Sequence, residues 1–209
     1  MQIADAAAFQ VATNVSRETM ARLVRYETLV YKWTPAINLV SKTSIAEIWH
    51  RHFLDSAQLF DIAPKNVRHW GDLGAGGGFP GLVIAAIAAE RSPETKITLV
   101  ESDQRKAAFL RVAAQEMGLS AQVLSVRAED LPALGADVLS ARALAPLTDL
   151  CALAVRHLAP GGVAIFPKGA KAEPDLKRAL ASWRFVVEKF PSKTESSAAI
   201  YKIGGISRV

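Results

Sequence analysis

The 209-residue sequence has a single cysteine, Cys151. That excludes an internal disulfide and any metal site built from several thiolates. Its four histidines sit in no H-x-E pattern, and C-x-x-C is missing, so no zinc site and no metal cofactor are expected. Long hydrophobic runs are missing too. The longest, Leu82 to Ala89, is far too short to cross a bilayer. The opening residues, Met1-Gln2-Ile3-Ala4-Asp5, lack the basic stretch of a secretory signal. There is no internal repeat and no low-complexity segment. These absences lead us to expect a cytoplasmic protein without a membrane partner.

What is present describes one globular unit: 50% hydrophobic and 22% charged residues, at a length that supports a full core. The net charge of +5 is unevenly placed. Residues 1–136 carry 14 Lys/Arg against 14 Asp/Glu, and residues 137–209 carry 11 against 6. The excess therefore lies in the last third. A basic surface suits an anionic partner such as nucleic acid, although a merely solvated basic face fits the charge count equally well.

Residues 17–34 place Met20, Leu23, Val24, Val30 and Trp33 on one helical stripe, which Thr34-Pro35 is expected to end. Ser44-Ile45-Ala46-Glu47 reads as a capping box opening the next helix, where Arg51 and Asp55 stand at a spacing that permits a surface ion pair. We take residues 1–63 as an N-terminal helical cap on a core of residues 64–209, together one structural unit. Within that core, strands and helices alternate from Val67 onward. Strands are expected at Lys96–Val100, Val123–Val126, Asp137–Ser140 and Val163–Phe166, with helices over Asp103–Met117, Leu147–Leu158 and Glu173–Ala181 between or after them. Phe185–Phe190 and Ala198–Ile203 then follow with only a loop between them, an antiparallel hairpin at one edge.

The chain is organised around Asp72-Leu73-Gly74-Ala75-Gly76-Gly77-Gly78-Phe79-Pro80-Gly81, a strand end, a glycine turn and a helix start near Pro80. Its glycines are expected to take positive φ and to let a ligand approach the backbone. Orphan N–H groups at the helix start favour an anion there. Gly76 to Gly81 fits G-x-G-x-x-G, the dinucleotide fingerprint, while Asp72 to Gly78 fits acidic-x-G-x-G-x-G, the pattern of S-adenosylmethionine (SAM) methyltransferases. A structural turn without ligand is the third reading. Glu101 ends the second strand, where an acid accepts both ribose hydroxyls of an adenosine ligand, and both NAD and SAM contain adenosine. Asp72 directly before the turn, the terminal hairpin and Ala128-Glu129 after the third strand favour SAM. No His with a partnering acid offers a hydride-transfer site.

His50-Arg51-His52-Phe53-Leu54-Asp55-Ser56, the glycine stretch, Glu101-Ser102 and Phe109-Leu110-Arg111 together resemble the RsmG (GidB) family of bacterial 16S rRNA guanine-N7 methyltransferases. Asn38-Leu39-Val40-Ser41, Ser140-Ala141-Arg142-Ala143 and Pro167-Lys168-Gly169 match as well, so the resemblance covers nearly the whole chain. It implies an α/β, Rossmann-like class I SAM-dependent methyltransferase: a mostly parallel seven-stranded sheet, a C-terminal β-hairpin and the N-terminal helical cap. It further implies SAM held by Gly74, Gly76, Gly78, Phe79, Glu101, Ala128, Glu129 and Arg142, with Glu101 standing where many members have Asp. The implied partner is 16S rRNA, the small ribosomal subunit or its assembly intermediate, acted on by a monomer.

Guanine N7 carries an in-plane lone pair and no proton, so methylating it needs no general base. Catalysis then rests on alignment, for which good placement lowers a barrier by ~7–11 kcal/mol. Arg142 and Lys168 are our candidates for positioning, and Arg51, His52 and Lys168 for RNA contact. The Asn/Asp-Pro-Pro-aromatic motif of amino-group methylation is missing after the fourth strand, which reads Ser140-Ala141-Arg142-Ala143. Cytosine-C5 chemistry needs a nucleophilic Cys, and Cys151 lies in an apolar helix. Two other readings stay open: a SAM methyltransferase for another RNA or a small molecule, and a non-catalytic ribosome assembly factor.

Overall fold

The computed structural model describes residues 2–209; Met1, part of the N-terminal reading above, lies outside them. The sheet is built first from strands whose residues are buried on both faces: β1 (His69–Leu73), β2 (Lys96–Val100) and β4 (Ala136–Ser140). Such strands need helices above and below, and parallel pairing through crossover helices supplies them. Adding β3 (Ala121–Leu124), β5 (Leu158–Lys168), β6 (Trp183–Pro191) and β7 (Ala199–Arg208) gives a seven-stranded sheet in the order β3-β2-β1-β4-β5-β7-β6. All pairs from β3 to β5 are parallel, and β7 is antiparallel to both β5 and β6. The expected mostly parallel sheet with a terminal hairpin is what forms.

One face carries α3 (Asp55–Ile62), α4 (Gly81–Arg91) and α5 (Gln104–Glu116) under α1 (Ala6–Thr13) and α2 (Arg17–Ile37). The other carries α6 (Leu147–His157) and α7 (Ala172–Leu180). Residues 81–88 are all buried, so α4 is apolar on every side and lies between the sheet and the outer helices. Phe9, Tyr26, Trp49 and Phe53 share one core with Leu82, Ile84 and Leu99, so the helices that carry them pack against the same face of the sheet as α4.

Several local expectations give way to longer-range contacts. The helix over residues 17–34 runs on through Pro35 to Ile37, and closes on Asn38 in the left-handed conformation with its N–H on the Thr34 carbonyl. Pro35 lies in the last turn, where few bonds remain to lose. The capping box does not form: Ile45–Glu47 is a short 3₁₀ turn, and Ser44 makes no cap bond because its hydroxyl is engaged with Ser41 and His52. A π-helical stretch, Trp49–Leu54, follows before α3. Its wider turn takes Arg51 and Asp55 off a common face. Arg51 instead sits 3.8 Å from Glu47 and Asp55 turns inward. Helix α1, capped by Asp5 on the Ala8 N–H, has no counterpart in the sequence reading. Helix α6 ends at His157, and Pro160-Gly161-Gly162 lie inside β5, which is longer than the expected Val163–Phe166 at both ends.

Candidate active site

The glycine stretch is held from three sides. Asp72 is fully buried at the end of β1, opposite Ser140 of β4. Its Oδ1 accepts from the Ser140 hydroxyl at 2.6 Å and its Oδ2 from the Gly81 N–H at 3.0 Å, tying β1, β4 and the start of α4 together. Burial pushes the Asp72 carboxyl up to about 7 against those two hydrogen bonds and Arg142. The buried Tyr26 hydroxyl of α2 donates to the Gly77 carbonyl. Glu101, 7% exposed, accepts from the Gly76 N–H at 2.7 Å through Oε2 and from the Asp103 N–H at 2.8 Å through Oε1.

Only part of the glycine stretch borders an open cavity. Gly74, at φ +65°, lines a cavity of about 200 Å³ with Val100, Ser102, Ala128, Glu129 and Leu144. Glycine suits that left-handed conformation, which strains any L side chain, and a Cβ would also have to displace the Leu144 side chain, 2.6 Å away. Gly78 and Gly81 serve packing instead. A Cβ on Gly78 would reach the Tyr26 hydroxyl, and Gly81 has ordinary φ but lies against Leu99 and Asp72. Phe79 is 4% exposed, its ring packed against Tyr26, Phe53 and His52, so its side chain anchors the loop to the cap. Of the residues expected to hold the cofactor, then, Gly74, Ala128 and Glu129 border one cavity, and Gly76 and Glu101, joined by their hydrogen bond, adjoin its lining residues in the chain. Gly78 and Phe79 are buried, and Arg142 lines a second cavity, two residues along the chain from Leu144 of the first.

Arg142 lines a second, larger cavity of about 510 Å³, together with Arg51, His52, Asp55, Ala143, Lys168 and Thr194. Its Nη1 donates to Asp55 Oδ2 and to the Arg51 carbonyl, both at 3.3 Å, and its Nη2 to His52 Nδ1 at 2.9 Å. The guanidinium also lies 5.4 Å from the centre of the Phe79 ring. Asp55, quoted in the sequence reading only as a surface partner, holds three segments at once. Besides Arg142 it accepts from Gln58 Nε2 and from the hydroxyl of Thr194, in the β6–β7 loop. No local pattern announces this, because Thr194 and Arg142 come from distant parts of the chain.

Two RNA candidates are tied up within the protein. Lys168 lies 2.9 Å from Asp175 and donates to the Ala145 carbonyl at 3.0 Å. Burial alone would raise Asp175, but Lys168, the Leu147 N–H and Arg178 outweigh it and hold the carboxyl below its ordinary value. Lys168→Ala is expected to cost about 2–3 kcal/mol of stability by leaving a buried carboxylate short of its partner, read as a fall in urea midpoint; an unchanged midpoint would return Lys168 to the surface role. His52 is neutral: burial, then Arg142 and Arg51, lower its pKa from 6.5 to about 3. The unfolded chain therefore binds more protons than the folded one between those values, and stability falls as pH drops below 6.5. His52→Gln removes that titration, so its stability relative to the parent should improve by roughly 2–3 kcal/mol on going from about pH 7.5 to about pH 4.5. Arg51 alone of the three is exposed.

Arg142, Ala143 and Leu144 are consecutive, yet Arg142 and Ala143 border the larger cavity and Leu144 the smaller. Ala143, at φ +53°, makes the reversal between them. A left-handed alanine costs about 1–2 kcal/mol, strain of the kind that collects at functional sites. Among the described residues no helix is long and apolar enough to cross a membrane, and no cluster of His, Cys, Asp and Glu suits a metal ion.

The strand order, the glycine turn after β1 and the acid after β2 define a class I SAM-dependent methyltransferase fold. Solved structures agree. Cofactor-bound Rv0187 from MTB superposes with a TM-score of 0.60 at 16% identity, covering 97% of each chain. An O-methyltransferase from Bacillus cereus in complex with SAH gives 0.58 at 15% identity, over 94% of this chain and 96% of its own. The sequence goes further, since residues 19–200 match the GidB family model, rRNA small subunit methyltransferase G. The ribosomal RNA small subunit methyltransferases G of Ruegeria pomeroyi and Cereibacter sphaeroides are 54% and 52% identical to it. The alignments cover 94% and 95% of this chain, and 96% and 95% of the two relatives. The chain belongs to the GidB family.

Proposed function

We propose that the chain transfers the methyl group of SAM to N7 of a guanine in 16S rRNA. The carrying observation is the turn after β4, where consecutive residues border a glycine-walled cavity on one side and an arginine-lined cavity on the other. The small cavity suits an adenosyl group. Gly74 and Ala128 leave room for a flat base, with Glu129 at its rim. Each Glu101 oxygen accepts one N–H and keeps a lone pair for a ribose hydroxyl. Bound SAM supplies an electrophilic methyl on a cationic sulfonium.

The chain's own part is placement. Deprotonating N7 is unnecessary, so no group lining the larger cavity has to act as a base: the Asp55 carboxylate is paired with Arg142, both His52 nitrogens are in use, and Glu195 accepts from the Ser197 hydroxyl. Arg142 keeps Nε–H and one Nη2–H for the RNA. A fork onto guanine O6 and N7 would block the nucleophile, so Arg142 contacts O6 or phosphate alone. Arg51, exposed at the rim, serves the RNA backbone, and Lys168 acts indirectly by fixing α7 behind the cavity wall. Both cavities are lined by one chain, so a monomer suffices, working in the cytoplasm where the small subunit is made.

Incubating the protein with methyl-labelled SAM and unmodified 16S rRNA, or small subunits containing it, tests this reading. Label recovered as 7-methylguanosine in 16S rRNA is expected. Label in another RNA or a small molecule would make it a different methyltransferase, and SAM binding without transfer an assembly factor.

A further inference from the structure

Arg142 lies on a hydrogen-bond chain whose polarity is fixed from end to end. A guanidinium only donates, so His52 Nδ1, 2.9 Å from Nη2, must accept. The imidazole proton is then on Nε2, 2.8 Å from Ser44 Oγ, which accepts it. The Ser44 hydroxyl in turn donates to the Ser41 carbonyl at 3.2 Å, while Ser41 Oγ donates to Ser44 Oγ at 2.8 Å. The chain ends on a backbone carbonyl, so reversing one bond would break the others. We propose that His52 is a positioning residue, a neutral acceptor held in its Nε2–H form between Arg142 and Ser44 to aim Arg142, and that it makes no contact with RNA. The proposal rests on the reading of Arg142 as the residue that meets the substrate.

The groups facing His52 explain why an imidazole stands there. Arg142 and Arg51 are cations, Ser44 and the Phe79 ring are neutral, and Asp55 is occupied on the far nitrogen of Arg142. A proton on Nδ1 would set two N–H groups against each other beside two guanidiniums. A carboxylate at position 52 would orient Arg142 equally well but would add a second negative charge beside Asp55, which an RNA-binding cavity does not tolerate. A neutral acceptor fixes direction and leaves the charge for the ligand. The π-helical stretch permits this, carrying His52 to Arg142 on one side of the cavity and Asp55 to it on the other.

Nitrogen NMR of the full chain with ¹⁵N-labelled histidine is the test, because it needs neither RNA nor turnover. From about pH 5.5 to 8, one imidazole should stay neutral, with Nε2 protonated and Nδ1 accepting. Arg142→Ala, which removes the donor facing Nδ1, should turn that signal into a mixture of tautomers. In transfer assays His52→Leu should lower kcat on RNA more than about tenfold with the KM for SAM unchanged, while His52→Gln, which can still accept and donate, should stay within about threefold of the parent. A His52 that titrates near 6.5, an Arg142→Ala signal identical to the parent, or a Gln variant as weak as the Leu variant would overturn the proposal. If His52→Leu does not fold, the Arg142→Ala spectrum decides alone. If the parent itself transfers no methyl group to rRNA, the functional reading falls and the tautomer result still stands.

Discussion

Replacing Gly74 with Val is expected to weaken SAM binding at least 100-fold while the protein stays folded. The residue holds φ +65° at the mouth of the smaller cavity. A β-branched side chain pays a penalty of about 1–3 kcal/mol in that conformation. The first atom added meets Leu144, which is half-exposed and can swing aside, so the fold itself can absorb it. The branches, however, enter a space of only about 200 Å³ beside Ala128 and Glu129. Titration calorimetry with SAM reads the loss directly, and thermal melting should show a fall of only a few degrees. Gly74→Ala adds strain without the branches and should lie between the two. Wild-type affinity in the Val variant would mean that SAM binds elsewhere.

Arg142→Ala should have the opposite signature, with turnover on rRNA falling by roughly 100- to 1,000-fold and SAM affinity changing only a few-fold. Removing one preorganised donor from a reaction centre typically costs about 2.7–4 kcal/mol. Arg142 lines the larger cavity, not the one that contains Gly74, so the cofactor should be little affected. Arg142→Lys should recover little, because a single ammonium cannot serve Asp55, the Arg51 carbonyl and His52 together and still face a ligand. Single-turnover kinetics with saturating SAM separates the two effects. Equal losses of SAM binding in Gly74→Val and Arg142→Ala would merge the two cavities into one cofactor site.

These contrasts arise where sequence patterns and tertiary contacts part company. The glycine turn, the acid ending β2, the alternating strands and the closing hairpin depend on short-range signals, and each is readable in the chain. The π-helical stretch is not, because nothing local distinguishes Trp49–Leu54 from an ordinary helix. The capping box fails for a related reason: Ser44 has the right neighbours, but His52 competes for its hydroxyl. Lys168 reads as a free cation until folding brings Asp175 to it from α7. Phe79 belongs to a cofactor motif in sequence and to an aromatic core in space, where it joins Tyr26 and Phe53. What reads least well is therefore the larger cavity, whose walls come from five separate stretches between Leu39 and Ile200.

The claim beneath all of this is that one turn after β4 separates a nucleoside slot from a guanine-binding cavity. A crystal structure with S-adenosylhomocysteine measures that most directly. The adenine should lie between Gly74 and Ala128, with the sulfur directed past Leu144 toward Arg142. An adenine lodged among Arg51, His52 and Thr194 would contradict it.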